Sequence, residues 1–109
     1  MNLFDLTGKT ALITGGNGGI GYGIAVGLAE AGAQIIISAR NKNKTKNAVA
    51  SLKSSGHQAL GIEADVSDES SIKNMVSESL NSAGQVDILV NNAGIGIRKL
   101  PHEYDLDDW

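Results

Sequence analysis

Short runs of apolar residues alternate along this chain with longer segments in which apolar side chains recur every three or four positions. That alternation predicts strands and helices in turn. Lys9–Thr14 (KTALIT), Gln34–Ser38 (QIIIS), Gln58–Glu63 (QALGIE) and Val86–Val90 (VDILV) are short, nearly continuous apolar runs and read as strands. Between them, Ile20, Ile24 and Leu28 repeat at helical spacing as far as Gly32, which stands where a helix would be capped. Val49 and Leu52 mark a second, weaker stripe. Ile72, Met75, Val76 and Leu80 mark a third, opening after the capping residues of DVSD (Asp65–Asp68) and stopping near Gly84. Strands joined by helical crossovers are parallel, and right-handed crossovers allow a sheet in the order 3-2-1-4 with helices on both faces. The expected class is α/β.

Composition narrows the picture. The 109 residues set a ceiling of one domain, and 41% hydrophobic with 19% charged residues is ordinary for a globular α/β chain. A net charge of -3 argues against a nucleic-acid partner, which needs a basic face, so any phosphate bound here must be met locally. Without cysteine there is no disulfide frame and no thiolate chemistry. Neither a signal peptide nor a membrane-spanning run is evident, and the expectation is a cytoplasmic chain with no membrane partner. His57 and His102 have no companions at metal-ligand spacing, so no metal is expected.

The candidate chemistry lies in Thr14–Gly21, TGGNGGIG, where five of eight residues are glycine between the first strand and the first helix. A phosphate would meet unpaired backbone N–H groups and the positive helix end there, and glycine removes the Cβ atoms that would keep it away. Two registers fit. Gly16, Gly18 and Gly21 match the G-x-G-x-x-G dinucleotide fingerprint, while Gly15, Gly19 and Gly21 match T-G-x-x-x-G-x-G beginning at Thr14. No Gly-Lys-Ser/Thr follows, which excludes a P-loop.

A second motif, Asn91-Asn92-Ala93-Gly94, follows the fourth strand directly. Together, Thr14-Gly15-x-x-x-Gly19-x-Gly21 and NNAG make the chain resemble the short-chain dehydrogenase/reductase family, and the likeness takes in ADVSD and the closing DDW, Asp107 to Trp109. The resemblance implies the N-terminal part of a Rossmann-type NAD(P)-binding domain over residues 1–109. It implies that Gly15, Asn17, Gly19 and Ile20 surround the pyrophosphate and nearby ribose, that Asp65 and Val66 contact the adenine, and that Asn92, Ala93 and Gly94 flank the nicotinamide side. Asn91 is expected to tie the sheet together. The alternative for Asp65 is a helix-start acid, and for the asparagines a loop role.

The end of the second strand bears on the choice of cofactor. An acid there would hold the ribose 2′-hydroxyl and repel a 2′-phosphate. Ala39 fills that place and Arg40 follows, offering a guanidinium to a phosphate, so NADP is expected ahead of NAD. Such a contact is worth about 1.5 to 3 kcal/mol, on the order of tenfold to a hundredfold in affinity. Lys42, Lys44 and Lys46 are expected to face solvent rather than converge on one ligand.

No catalytic residue is assigned. The family's tyrosine with a lysine four residues on, its serine and its helical asparagine all lie downstream of the matched portion. Tyr22 is followed at that distance by Val26 and Tyr104 by Asp108. The resulting expectation is an NADP-preferring oxidoreductase interconverting a carbonyl and a secondary alcohol on a small-molecule substrate, seen here as a cofactor-binding fragment inactive by itself. The stretch GIGIRKLPHEYDLDDW resembles family members acting on sugar acids, with 3-oxoacyl reductases as the other candidates. A nucleotide-sensing or partner-binding module is the alternative. The apolar edge at VDILV predicts self-association, in keeping with a homo-oligomer.

Overall fold

A computed structural model describes residues 5–65 and 67–92. The elements follow the expected alternation: β1 (Thr10–Thr14), α1 (Gly19–Glu30), β2 (Gln34–Ala39), α2 (Lys42–Ser54), β3 (Ala59–Glu63), α3 (Glu69–Ala83) and β4 (Ile88–Asn91). The four strands are parallel and lie in the order β3-β2-β1-β4, a partial Rossmann fold. In this register Leu12 lies opposite Ile36 and Leu89, and Thr14 opposite Ser38 and Asn91. The carboxyl ends of three strands are therefore level beside the glycine-rich turn.

The near-continuous apolar strands are explained by burial on both faces. On one face Ala11, Ile13, Ile35, Ile37 and Val90 meet Ala25 and Ala29 of α1 and Ala48 and Leu52 of α2. On the other, Leu12, Ile36, Ile62 and Leu89 meet Ile72 and Met75 of α3. Side chains along each strand point alternately to the two sides, so one run of sequence feeds both cores.

The helical faces differ in part from the apolar stripes in the sequence. In α1 the buried line is Gly21, Ala25 and Ala29, while Ile20 is 77% exposed. Small side chains bring the helix close to the sheet, and that proximity outweighs the greater bulk of Ile20. In α3 the line is Ile72, Met75 and Ser79, with Val76 and Leu80 left exposed. Ser79 is accommodated because its hydroxyl donates back to the Met75 carbonyl at 2.7 Å. Asp68 rather than Asp65 caps α3, accepting from the Ser70 N–H at 3.0 Å, and Gly84 closes its other end.

Candidate functional site

At the carboxyl edge of the sheet β1 ends in Thr14 and the chain turns through Gly15–Gly18 into α1. The Gly15 N–H donates to the Ser38 carbonyl of β2 at 2.7 Å, so the turn starts as an extension of the sheet. The backbone distinguishes the two glycine registers. Gly15 and Gly19 have φ of +68° and +57°, where a side chain is strained. Gly21 has no room for one, since a Cβ there would collide with the Gly15 carbonyl oxygen and lie 2.7 Å from Asn92 Nδ2. Gly18 is extended at φ -175° and faces no such collision. Gly21 is common to both registers and Gly16 packs tightly against Ile13, so it is the positive φ of Gly15 and Gly19 that favours T-G-x-x-x-G-x-G.

The N-terminus of α1 is open. Gly18 occupies the cap with no side-chain hydrogen bond to the first turn, and that turn contains no acidic residue. A Cβ on Gly19 would have nothing within 4 Å, and Ile20 beside it is the most exposed of the large hydrophobic residues among those described. Among the described residues, the first-turn N–H groups of α1 have no capping side chain, and together with the positive end of the helix dipole they can accept an anion.

The end of β4 supports the turn from the other side. The buried Thr14 Oγ1 lies 3.0 Å from Asn91 Oδ1 and 3.3 Å from the Val90 carbonyl, within reach of either acceptor for its single proton. Asn91 thus joins β1 to β4, as expected. Asn92 reaches Gly15 directly, Nδ2 donating to its carbonyl at 3.4 Å. Ala93 and Gly94 lie outside the described residues, as does Val66.

Arg40 follows β2 and is exposed. Asp65 follows β3 and is held by the turn it opens: Oδ1 accepts from the Ser67 hydroxyl at 2.6 Å and the Ser67 N–H at 2.9 Å, while its own N–H donates to Ser71 Oγ at 2.8 Å. These bonds from Ser67, first the hydroxyl and then the amide, lower the Asp65 pKa below the usual carboxylate value, with a smaller contribution from the Arg40 charge. The Asp65 Oδ2 has no hydrogen bond among the described residues.

Two contacts that sequence reasoning missed complete the site. Asn17 Nδ2 donates to Thr45 Oγ1 at 3.3 Å, tying the turn to the first turn of α2. Thr45 is buried because its methyl packs over Gly61 of β3, where a Cβ would lie 2.8 Å from it. Lys44, expected to face solvent, is exposed yet lays its side chain along the turn, with Nζ 3.5 Å and Cε 3.7 Å from where a Gly18 Cβ would stand. Both contacts join residues more than 25 positions apart, beyond the reach of local pattern.

Comparison with known proteins agrees with this geometry. A family model described as short chain dehydrogenase matches residues 9–109. The chain is 42% identical over its whole length to the 2-dehydro-3-deoxy-D-gluconate 5-dehydrogenase of Dickeya dadantii, of which it covers 42%. It resembles the crystal structure of 2-keto-3-deoxy-D-gluconate dehydrogenase from Streptococcus agalactiae, with 41% identity and a TM-score of 0.78 over 96% of this chain and 40% of that one. It also resembles the Pseudomonas aeruginosa RhlG/NADP active-site complex, with 38% identity and a TM-score of 0.79 over 87% of this chain and 38% of that one. The chain thus spans about two fifths of the length of these relatives and corresponds to their N-terminal part.

Proposed function

The chain belongs to the short-chain dehydrogenase family, and from that premise we propose that it forms the cofactor platform of an NADP-preferring oxidoreductase interconverting a carbonyl and a secondary alcohol. The observation that carries this reading is the N-terminus of α1, which among the described residues has no side-chain cap and has nothing within 4 Å of where a Gly19 Cβ would stand. A pyrophosphate placed there takes first-turn N–H bonds with no capping side chain to displace and no acid in that turn to repel it.

The other residues divide the remaining length of a dinucleotide among them. Gly15, Gly19 and Ile20 line the pyrophosphate and adjoining ribose, and Asn17 holds the turn in place through Thr45. Arg40 receives the 2′-phosphate where Ala39 leaves no carboxylate to compete. Asp65 offers Oδ2 to the adenine amino group while Ser67 fixes Oδ1, and Val66 packs against the ring. Asn92, Ala93 and Gly94 border the nicotinamide side, Asn92 while bonded to the Gly15 carbonyl. Bound in this way, the cofactor supplies the hydride.

None of the residues within this chain is assigned a proton-transfer role, and the 109-residue chain by itself is expected to bind cofactor without turnover. The sugar acids in the names of its relatives make a keto or hydroxy sugar acid the first substrate to test for the whole enzyme.

Equilibrium binding of NADP and NAD to the protein and to Arg40→Ala tests the reading. The expected result is a tenfold to hundredfold preference for NADP, on the order of the 1.5 to 3 kcal/mol of one charge-assisted contact, that disappears in the variant. Equal affinities unaffected by the substitution would refute it.

A further inference from the structure

We propose a second binding site, at the amino edge of the sheet and away from the glycine turn, that takes a small neutral polyhydroxylated molecule. It does not depend on the cofactor reading.

A cavity of about 290 Å³ opens at this edge, with Lys9, Thr10, Gln34, Gln58 and Gln85 among its lining residues. That volume is close to the lower end of small-molecule sites, about 300 Å³. Its glutamines come from three separate helix-to-strand connections: Gln34 opens β2 after α1, Gln58 precedes β3 after α2, and Gln85 follows the Gly84 that closes α3. Parallel strands bring these connections to one edge, so a single cavity collects three carboxamides. Thr10 lies opposite Gln34 in the sheet, each two positions before a residue, Leu12 or Ile36, that packs toward α3. Both side chains therefore point to the α3 side, where Ala83 at the end of that helix also lines the cavity.

One wall is held in place. Gln85 Nε2 donates to the Gly8 carbonyl and to Asp87 Oδ2, each at 2.7 Å, and the same Oδ2 accepts from the Thr10 N–H at 2.9 Å. Both amide protons of Gln85 are thereby used, and its carbonyl oxygen is left to accept. The other polar groups are unengaged. Among the described residues, the Thr10 hydroxyl, the Gln34 and Gln58 carboxamides and the Lys9 ammonium make no hydrogen bond or ion pair, although Thr10 is only 3% exposed.

These groups select the ligand. Carboxamides and a hydroxyl present donors and acceptors together, which hydroxyl groups on a ligand match, whereas an apolar ligand leaves them unpaired. The charge of Lys9 is answered locally: Gly32 and Ala83, at the C-terminal ends of α1 and α3, line the same cavity, and the negative end of a helix dipole favours a cation. Those helix ends disfavour an anionic ligand, which leaves a neutral one. Thr10 and Thr14 stand four residue steps apart along β1, about 13 Å at roughly 3.3 Å per step, so the ligand does not touch the glycine turn.

The test is an NMR titration of isotopically labelled protein with sorbitol as the probe, and separately with gluconate, which carries a carboxylate in place of one hydroxymethyl end. Sorbitol is expected to give saturable shifts of the Gln34 and Gln58 side-chain amide signals while Gly15 and Gly19 stay in place. Gln34→Leu and Gln58→Ala are each expected to weaken it about two- to tenfold. Shifts that grow linearly without saturating overturn the proposal, as does saturation that neither substitution changes. Tighter binding of gluconate than of sorbitol overturns the neutral ligand, and displacement of sorbitol by NADP overturns the separate site. Gln58 is exposed, so Gln58→Ala carries the test even where Gln34→Leu lowers the melting temperature.

Discussion

Gly21, one turn into α1, presses its Cα side against the carbonyl oxygen of Gly15 so closely that no side chain fits between them. This contact sets the distance of α1 from the glycine turn, and with it the place where the open N–H groups point. Gly21→Ala is expected to destabilise the protein by about 1–3 kcal/mol, the usual range for overpacking a close contact, because the obstacle is backbone and cannot swing away. Thermal melting measures this loss directly, and dinucleotide binding is expected to weaken with it.

Ile20 gives the opposite result. At 77% exposure it contributes little to the core, so Ile20→Ser should change stability by less than about 0.5 kcal/mol. Binding of NADP should nevertheless weaken, because the proposed site puts Ile20 against the pyrophosphate. A denaturant titration beside a binding isotherm separates the two effects.

Strand composition and crossover length were enough to read the sheet. β1, β2 and β4 are apolar because they are covered on both faces, and parallel strands joined by helices leave few orders to choose from. The helix faces were less legible. Gly21, Ala25 and Ala29 lie inward because close packing rewards smallness, whereas the eye follows Ile20. Asn17–Thr45 and Lys44–Gly18 are tertiary contacts with no periodic signature. No proton-transfer residue is assigned among the described residues.

Ser38, opposite Thr14 in the sheet, has a buried hydroxyl oxygen without a hydrogen-bond partner among the described residues. Burying an unpaired hydroxyl costs about 1–3 kcal/mol, and Ser38→Ala is therefore expected to raise stability, by roughly 1 kcal/mol. A denaturation midpoint shifted upward with an unchanged slope checks this.

Asn91→Ala should act in the reverse direction. It takes the Asn91 acceptor from the buried Thr14 hydroxyl and opens a polar gap between β1 and β4. A loss of about 1–3 kcal/mol is expected in chemical denaturation.

Asp65 supplies the pH dependence. Its folded pKa is lowered, first by the Ser67 hydroxyl and then by the Ser67 N–H. The ionised carboxylate therefore supports the β3–α3 turn above its unfolded pKa, and that support is lost as pH falls through the lower folded value. Carboxyl NMR titration should place the Asp65 midpoint below that of an ordinary aspartate, and Ser67→Ala should move it upward.

The central claim is that the backbone at the start of α1 receives the cofactor, and amide NMR shifts on adding NADP to isotopically labelled protein test it most directly. The account predicts the largest changes at Gly15, Gly19 and Ile20, with Arg40 responding to NADP more than to NAD. Changes confined to the opposite edge of the sheet, around Lys9, Gln34 and Gln58, or no changes at saturating cofactor, would contradict it.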